Sequence, residues 1–594
     1  MGRLIETVAR TLRGLGQAIW RFPLTVLSLV GSTALTCYMI SLHSTPSLLI
    51  QKLMFVCLFA AFLGITAQFA CERFPSLAGR RSAVYIVSVL FTLGYYLIIA
   101  GAPAIDYEVG ARTAVAVFAM FCAFIWLPSL GGRFDFNSVA LVHFKSAMTS
   151  ILYAGVLSAG LAALIVAIDI LLFDVDSDTF GYMLAIVWML FATIHYLSLL
   201  PRFNSDQMAD RIAAQESSQY PRILEILVAQ IAIPLISAYT LVLLAYFVKI
   251  GVTREWPIGQ LGPMILGYAA AGLLVYVLAS RLNNRSAVLY QHLFPKVLIP
   301  VVIMQLVSVS IRLRAYGITE SRYYLTLFGI FSLIVGIALS LRPVTRNGII
   351  AVLAASLAIA SIVPPVDAFT VSRLSQVSRL EGMLQAAGIL VDGELHPQSD
   401  VDLDVRRETT NILNYLNHRG YLPQVSWLPQ DFEPYRDMEQ ALGFEPTYSY
   451  MAENITRFYA NLNRQGPLPI SGYDVLLEAT AYRYQQTRTI TQSFTVRGST
   501  YRLVVERQSP QEARVSIQDS AGTELVATGL NDFVTNLMAA GDLSERLLGP
   551  EQMTLDASGR DAQLRIIFQS IHAIHGSNQD DGIDYNMFIL VSIP

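Results

Sequence analysis

Long apolar segments alternate with short polar loops along the first 366 residues of the chain. A helix of roughly 20 apolar residues is long enough to cross the hydrocarbon core of a bilayer. The pattern therefore predicts a polytopic α-helical membrane domain of about 11 transmembrane helices. The predicted spans lie near residues 22–42, 53–71, 83–101, 112–130, 150–173, 181–200, 225–248, 261–280, 297–313, 323–341 and 348–366.

The last apolar segment, residues 348–369, separates two parts of the chain that differ in pattern. It stops at Pro364-Pro365, because proline cannot continue a helix. More than 200 residues follow it, and they contain no segment long enough to cross a bilayer. We therefore expect an amphipathic segment at 1–21, a transmembrane domain at 22–366 and an extramembrane domain at 367–594.

The part after residue 366 contains both helical and strand patterns. Helical patterns come first, and alternating apolar and polar positions then predict antiparallel strands. The predicted helices cover 371–387, 404–418 and 452–462, and the predicted strands cover 487–496, 501–507, 514–518, 524–528, 564–568 and 587–593. Helices followed by antiparallel strands are typical of an α+β domain.

Composition agrees with a membrane protein. Hydrophobic residues make up 54% of the chain and charged residues 14%, whereas an average soluble chain carries about 25% charged residues. The net charge of -3 gives no basic excess of the kind that nucleic-acid binding requires. The four cysteines lie in or beside the first four apolar segments and form no C-x-x-C motif, so they do not indicate a redox compartment.

The distribution of positive charge predicts the orientation of the membrane domain. Lys and Arg are more than twice as frequent in the loops on the N-terminal side of the membrane as in the loops on the other side. Cytoplasmic loops carry such an excess, so the N-terminus is predicted to be cytoplasmic. An odd number of spans then makes residues 367–594 extracytoplasmic.

Arg312 and Arg314 stand at the outer end of the ninth predicted span, and Arg322 follows at the start of the tenth. Their position opposes the charge bias, and the guanidinium group matches the geometry of phosphate. We therefore treat them as a candidate site for an anion or a lipid headgroup. Alternatively, the side chains snorkel to the interface or pair with acidic residues. The acidic residues closest in the predicted topology are Asp106, Glu108 and Glu320.

Three polar residues within predicted spans form a second candidate site. They are Asp169 in the fifth span, His195 in the sixth and Tyr239 in the seventh. Ionisable groups at membrane depth are candidates for proton or cation pathways. Alternatively, Asp169 is neutralised by a partner such as Arg312, and the histidine is a hydrogen-bonded packing residue.

The sequence predicts neither a metal nor a cofactor. Residues 174–178 begin like a calcium loop, but the required Gly and Glu at its sixth and twelfth positions are absent. His572 and His575 are three residues apart on a predicted strand, which places them on opposite faces. Neither a nucleophile elbow, a zinc-protease motif, a P-loop nor a dinucleotide fingerprint is present, which argues against an enzyme without excluding one.

Three stretches of the chain carry a family resemblance. They cover residues 251–257, 312–324 and 367–376, and their order and spacing resemble the bacterial multi-pass membrane family catalogued as domain of unknown function 4153 (DUF4153). The resemblance is best over about residues 160–390. Its most distinctive residues are Trp256, Pro257, Tyr316, Gly317, Thr319 and Tyr323. It implies a polytopic protein of the bacterial cytoplasmic (inner) membrane and supplies no catalytic residue.

Two functional hypotheses follow from these observations. In the first, the protein is a non-enzymatic component of the cell envelope, and residues 367–594 sense a signal or bind an envelope protein partner. In the second, it is a transporter or a lipid-handling protein that uses the polar residues within the membrane. Both make the lipid bilayer a partner and neither involves nucleic acid.

A reporter that is active only outside the cytoplasm tests the predicted orientation. Fused after Pro594 it should be active, and fused after Arg80 it should be silent, because the two positions lie on opposite sides of the membrane in the predicted topology. The reverse pattern of activity would overturn the orientation of the whole chain.

Overall fold

A computed structural model describes residues 13–253, 261–342, 344–429, 431–447, 456–463, 467–483, 489–539, 546–575 and 582–594. The chain forms two compact units. The first contains the described residues up to Leu395 together with Ile412–Phe432, and the second contains His396–Asn411 and Glu433–Pro594. The first unit is helical, apart from one two-stranded sheet, and the second is rich in β-strand.

The first unit is a bundle of long apolar helices. Ten helices in the described part of the chain are long and apolar enough to cross a membrane, which confirms the polytopic helical architecture. In chain order the helices are α1 (13–21), α2 (Pro23–Leu42), α3 (Leu48–Arg73), α4 (Arg81–Ala100), α5 (Tyr107–Trp126), α6 (Phe136–Leu171), α7 (Asp178–Ser198), α8 (Met208–Ser217), α9 (222–253), α10 (Leu261–Ala279), α11 (Arg285–Tyr316), α12 (Glu320–Leu341), α13 (Ile349–Ala360) and α14 (Ala368–Ala386).

Helix α13 is shorter than the span predicted at 348–366. It has 12 residues, and at 1.5 Å per residue it is about 18 Å long, against roughly 30 Å for a hydrocarbon core. The residues from Ser361 onward form turns in place of further helix, and the N–H of Ala368 donates to the carbonyl of Ser361 at 3.0 Å. The predicted odd number of crossings therefore depends on this one short helix.

Helix α6, in contrast, is longer than the span predicted at 150–173. It begins at Phe136, 14 residues before the predicted span at 150–173, and has 36 residues. Asp135 caps its first turn by accepting a hydrogen bond from the N–H of Ser138 at 3.2 Å. At about 54 Å the helix is longer than the bilayer core, so part of it lies outside the apolar layer.

Buried polar side chains hold α13 against the bundle. Asn347, which is fully buried, donates from Nδ2 to Asn137 Oδ1 at 2.9 Å and to Ser280 Oγ at 3.0 Å. Asn137 in turn donates to the carbonyl of Val344 at 3.0 Å. These contacts join α6, α10 and the turn before α13 at one end of the bundle.

Small residues allow the later helices to approach closely. A Cβ atom at Gly272 of α10 would lie 2.3 Å from the ring of Phe294 on α11. Tyr268, Tyr276, Tyr290 and Phe294 surround this contact in one buried cluster. The cluster requires a residue without a side chain at this position, which is a common packing device between membrane helices.

The second unit contains two sheets with a shared core, and their strands pair antiparallel except for the parallel pair β3–β9. Its elements are α15 (Leu403–His418, which continues into the first unit), α16 (Pro434–Leu442), β3 (Thr456–Leu462), β4 (Val475–Ala481), β5 (Thr489–Val496), β6 (Ser499–Arg507), β7 (Ala513–Gln518), β8 (Glu524–Gly529), α17 (Asn531–Ala539), β9 (Arg546–Leu548), β10 (Thr554–Ser558), β11 (Gln563–His575) and β12 (Gly582–Ser592). The two short strands β1 (Leu390–Val391) and β2 (Glu394–Leu395) belong to the first unit.

Strands of both sheets contribute side chains to the core of the second unit. One sheet has the order β4-β12-β11-β3-β9, with β10 also paired to β11, and the other has the order β5-β6-β7-β8. Phe568 and Ile566 of the first sheet and Leu503 and Val515 of the second belong to one buried cluster. The predicted α+β fold class is thus confirmed, with more strand than the sequence pattern indicated.

The helix predicted at 452–462 is wrong in the part that the structure describes. Residues Thr456–Leu462 form strand β3, which lies between β11 and β9. Phe458, Ala460 and Leu462 are buried while Tyr459 is 36% exposed. This alternation is the signature of a half-buried strand. Residues 452–455 lie outside the described residues.

Candidate functional site

Two of the three stretches that carry the family resemblance meet at one junction. Helix α11 ends at Gly317, whose φ of 69° is a left-handed conformation that glycine adopts without strain. Gln376 of α14 is 3% exposed and donates from Nε2 to the carbonyls of Tyr316 at 3.0 Å and Ile318 at 2.9 Å. A Cβ atom at Gly317 would lie 2.8 Å from that amide nitrogen. The glycine is therefore required by both conformation and space.

Other residues of the resemblance complete this junction. Ser375 Oγ accepts a hydrogen bond from the N–H of Ile318 at 2.9 Å, and Tyr323 donates to the carbonyl of Val366 at 2.6 Å. Thr319 is the residue that precedes the first turn of α12. The resemblance thus marks residues that hold α14 against the loop between α11 and α12.

A buried carboxylate binds the segment 412–432 to the same loop. Glu320 is fully buried, and its Oε1 accepts a hydrogen bond from the Tyr421 hydroxyl at 3.0 Å. Arg419 Nε lies 3.5 Å from Oε2 of Glu320, and its guanidinium carbon lies 3.8 Å from the ring centre of Tyr107. Burial, followed by the charge of Glu320, raises the pKa of the Tyr421 hydroxyl, which therefore stays protonated and donates.

A second buried carboxylate starts helix α14. Asp367 accepts hydrogen bonds from the N–H groups of Phe369 and Thr370 at 3.1 Å, and Arg112 lies 2.8 Å from its Oδ1. Burial raises the pKa of Asp367, but the hydrogen bonds from Thr370 and Phe369 and the charge of Arg112 outweigh burial and hold it below the ordinary value. The carboxylate therefore remains ionised and anchors α14 to α5.

The candidate arginines have different surroundings. Arg322 donates to the carbonyls of Tyr316 at 3.0 Å and Gly317 at 2.9 Å, so part of its guanidinium group stabilises the junction. Arg312 is half-buried and Arg314 is exposed. Among the described residues, no carboxylate forms an ion pair with either of these two.

The acidic residues proposed as partners for Arg312 and Arg314 have other contacts. Glu320 lies beside Arg419, and Glu108 lies 2.7 Å from Arg112. Asp106 caps α5 by accepting from the N–H of Val109 at 2.8 Å. Anion binding by the two arginines, and snorkelling, both stay predictions.

The three polar residues predicted as an intramembrane site have separate surroundings. Asp169 is exposed, and its Oδ1 accepts from the N–H of Val175 at 2.7 Å, which closes the loop after α6. His195 is 3% exposed and lies 5.0 Å from the ring centre of Tyr153. Tyr239 stacks with Tyr268 at 5.9 Å. A joint role for the three residues stays a prediction. Trp256 and Pro257 lie outside the described residues.

A large apolar cavity in the first unit was not predicted from the sequence. Its volume is about 970 Å³, and it is lined by α2, α3, α5, α6, α7, α10, α12 and α13. Aromatic and aliphatic side chains dominate the lining, among them Phe62, Phe124, Trp188, Phe331 and Ile350. Trp188 belongs to a π-helical stretch of α7, Ala185–Phe191, and such irregular turns are frequent at functional sites.

One polar pair faces this cavity. His143 of α6 is 4% exposed, and its Nδ1 lies 2.6 Å from the hydroxyl of Tyr196 on α7. Among the described residues, its Nε2 has no hydrogen-bond partner. The rings of Phe69 and Phe124 lie 5.7 and 5.5 Å from the imidazole. His143 precedes the fifth span predicted at 150–173, so the sequence did not place it within a membrane-crossing helix.

In the second unit, His572 lies beside the cationic side chain of Arg483 and the acidic side chain of Asp584. His572 Nδ1 lies 3.1 Å from Arg483 Nη2, and its ring stacks with Tyr459 at 4.2 Å. Arg483 also binds Asp584 at 2.6 Å. Among the described residues, no group of three or more His, Cys, Asp or Glu side chains is arranged to hold a metal.

The fold defines a multi-pass membrane protein with a β-rich extramembrane unit. A family model described as domain of unknown function (DUF4153) matches residues 30–395, which is more than half of the chain. The protein therefore belongs to the DUF4153 family, and the match begins within the first membrane helix, well before the best resemblance at 160–390. Neither a curated protein nor a solved structure matches the chain.

Replacing Gln376 tests whether the junction stabilises the first unit. Gln376→Ala removes the side-chain donor to the carbonyl of Ile318 and one of the two side-chain donors to the carbonyl of Tyr316, and should cost about 1–3 kcal/mol of unfolding free energy. We expect a lower melting temperature in detergent and faster tryptic cleavage within α14. Gln385→Ala, at an exposed position of the same helix, is the matched control and should change neither. Equal behaviour of the two variants would show that the junction contributes little.

Proposed function

We propose that the membrane domain binds a lipid or another long apolar molecule of the bilayer, and that the protein is a lipid-handling protein. The observation that carries this proposal is the cavity of about 970 Å³ with its single polar pair, His143 and Tyr196. Its volume is at the upper end of the roughly 300–1,000 Å³ that small-molecule sites occupy.

The cavity is partly open, and its lining is almost wholly apolar. Where no atom packs against an apolar lining, the dispersion contacts of that lining are lost. An occupant that restores the lost contacts therefore stabilises the bundle.

Water is a poor occupant of this cavity. Buried water needs about three polar partners, and apolar cavities stay dry. Thr25, one of the few polar lining residues, already donates to the carbonyl of Ala61 at 2.9 Å. The occupant should therefore have a long apolar body.

The few polar groups of the lining limit the polar part of the occupant. His143 Nδ1 and the Tyr196 hydroxyl already lie 2.6 Å apart, and His143 Nε2 is buried within the protein. Lipids combine long apolar chains with a small polar part, which makes them the class that fits the lining best.

Filling the cavity tests the proposal. Ala354 lines the cavity, so Ala354→Trp should displace the occupant, and native mass spectrometry should then detect less lipid retained per protein. Ala163→Trp makes the same change at an exposed position of α6 that does not line the cavity, and it should retain lipid like the unmodified protein. Identical lipid retention in both variants, with both correctly folded, would refute the proposal.

A second candidate function is partner binding by the β-rich unit. Strand β5 pairs with β6 on one side and stands at the end of its sheet. Its residues are mostly exposed, and an exposed edge strand can accept a further strand from another chain. This supports the expectation that the extramembrane part binds an envelope protein. Its extracytoplasmic position, and the bacterial cytoplasmic membrane as the location, rest on the charge bias and the family resemblance.

Photo-cross-linking in intact cells tests this second function. A photoreactive residue in place of Gln492, an exposed residue of β5, should give a discrete adduct of higher mass. The same residue in place of Glu551, which is exposed outside the edge strand, should not. Equal yields of adduct at both positions would remove the support for a partner at this edge. The absence of an adduct at both positions would remove it as well.

A further inference from the structure

A second pocket of the first unit is rich in basic side chains. It has a volume of about 720 Å³ and lies at the end of the bundle that the charge bias predicts to be cytoplasmic. Its walls come from α1, the end of α3, the start of α4 and the loop after α7. Four arginines line it, namely Arg13, Arg21, Arg81 and Arg202.

The charges in this pocket do not balance. Among the described lining residues, the sole carboxylate belongs to Glu72. Arg21 binds both of its oxygens, Nε to Oε1 at 2.7 Å and Nη2 to Oε2 at 2.8 Å. Glu72 is thus neutralised by Arg21, and Arg202 has Asp210 as a carboxylate neighbour outside the pocket, so Arg13 and Arg81 leave an excess of positive charge.

The remaining arginines are available to a ligand to different degrees. Arg13 and Arg81 have no ion pair within the part of the chain that the structure describes. Arg81 Nη2 donates to the carbonyls of Trp20 at 3.0 Å and Arg21 at 2.8 Å, which orients its planar group. Arg202 forms a long ion pair with Asp210 at 3.9 Å, beyond hydrogen-bond distance.

We propose that this pocket binds a phosphate group, and that the phosphate belongs to the headgroup of an anionic membrane lipid. The guanidinium fork matches phosphate oxygens, and basic pockets between membrane helices on the cytoplasmic side suit anionic headgroups. Trp20 lines the pocket, and the residue is 82% exposed. Tryptophan prefers the level of the headgroups, so its position favours a lipid over soluble phosphate.

This site is separate from the apolar cavity. Immediately before α2, the fully buried Phe22 stands between Arg21 of the pocket and Thr25 of the cavity. Phe69 of α3, which is 1% exposed, packs against it with the ring centroids 5.8 Å apart. The proposal for the pocket therefore does not depend on the occupant of the cavity.

Thermal unfolding of the delipidated full-length protein in detergent tests the proposal. Three probes are compared: dioctanoyl phosphatidylglycerol, dioctanoyl phosphatidylcholine and inorganic phosphate. We expect the anionic lipid to raise the melting temperature most, with an effect that falls as salt is added. Arg13→Ala combined with Arg202→Ala should weaken the apparent affinity for phosphatidylglycerol roughly 10- to 30-fold, because two basic groups are lost.

Matched variants make the result specific. Arg222→Ala removes an exposed arginine outside the pocket and should keep the affinity of the unmodified protein. Arg81→Lys keeps the charge but loses the planar fork, so its affinity should be intermediate. If the double variant cannot be purified, Arg202→Gln provides the same test with one exposed substitution.

The outcomes separate the two sources of phosphate. Stabilisation by phosphatidylglycerol that is lost in the double variant and kept in Arg222→Ala supports the lipid headgroup. An equal effect of inorganic phosphate, lost in the same variant, supports the phosphate site but overturns the lipid as its source. Equal affinity of the double variant and the unmodified protein, or no stabilisation by any probe, overturns the proposal.

Discussion

A polar group taken into an apolar layer must find its partner within the protein, and this constraint organises the first unit. The hydrocarbon core offers no water to satisfy backbone groups, so the crossing segments are helices. Side chains obey the same constraint. Lys52, only 6% exposed, donates to the carbonyls of Ala100 and Ala102 at 2.7 Å, and Arg21 binds Glu72. His143 Nε2 stands out because the described chain gives it no partner and a large cavity lies beside it.

The same constraint explains the residues that carry the family resemblance, here called the motif. Motif residues such as Gly317, Tyr323 and Gln376 satisfy the backbone groups of one loop and hold α14 to it. Glu320 and Asp367 add two buried carboxylates that are partnered by arginines from distant parts of the chain. A buried charge is tolerated when its partner and hydrogen bonds are in place, and losing one partner is costly. The motif therefore identifies an architectural junction.

The two pockets of the first unit complement each other chemically. One is almost wholly apolar and lies among eight helices, and the other is lined by arginines at one end of the bundle. Apolar chains and anionic headgroups are the two parts of a membrane lipid. The linings of these two pockets do not include the candidate residues Arg312, Asp169 and His195, because the packing of the helices decides where space is left.

The sequence by itself determined the membrane character, the approximate position of most helices and the hairpins of the second unit. Hydropathy and the alternation of side chains are local properties, and each segment must satisfy its own backbone whatever the neighbouring segments do. Helix ends were less well determined, as α6 and α13 show, because apolar residues can be buried against protein as well as against lipid.

The tertiary structure alone decided the sites. Strand β3 became a central strand because β11 and β9 offered it partners, although its sequence also suited a helix. Gln376 meets Tyr316 across 60 residues, and His143 meets Tyr196 across 53. The apolar cavity is lined by residues between Thr25 and Ala354 that share no local pattern. Such sites depend on the relative placement of many helices, which no window of neighbouring residues encodes.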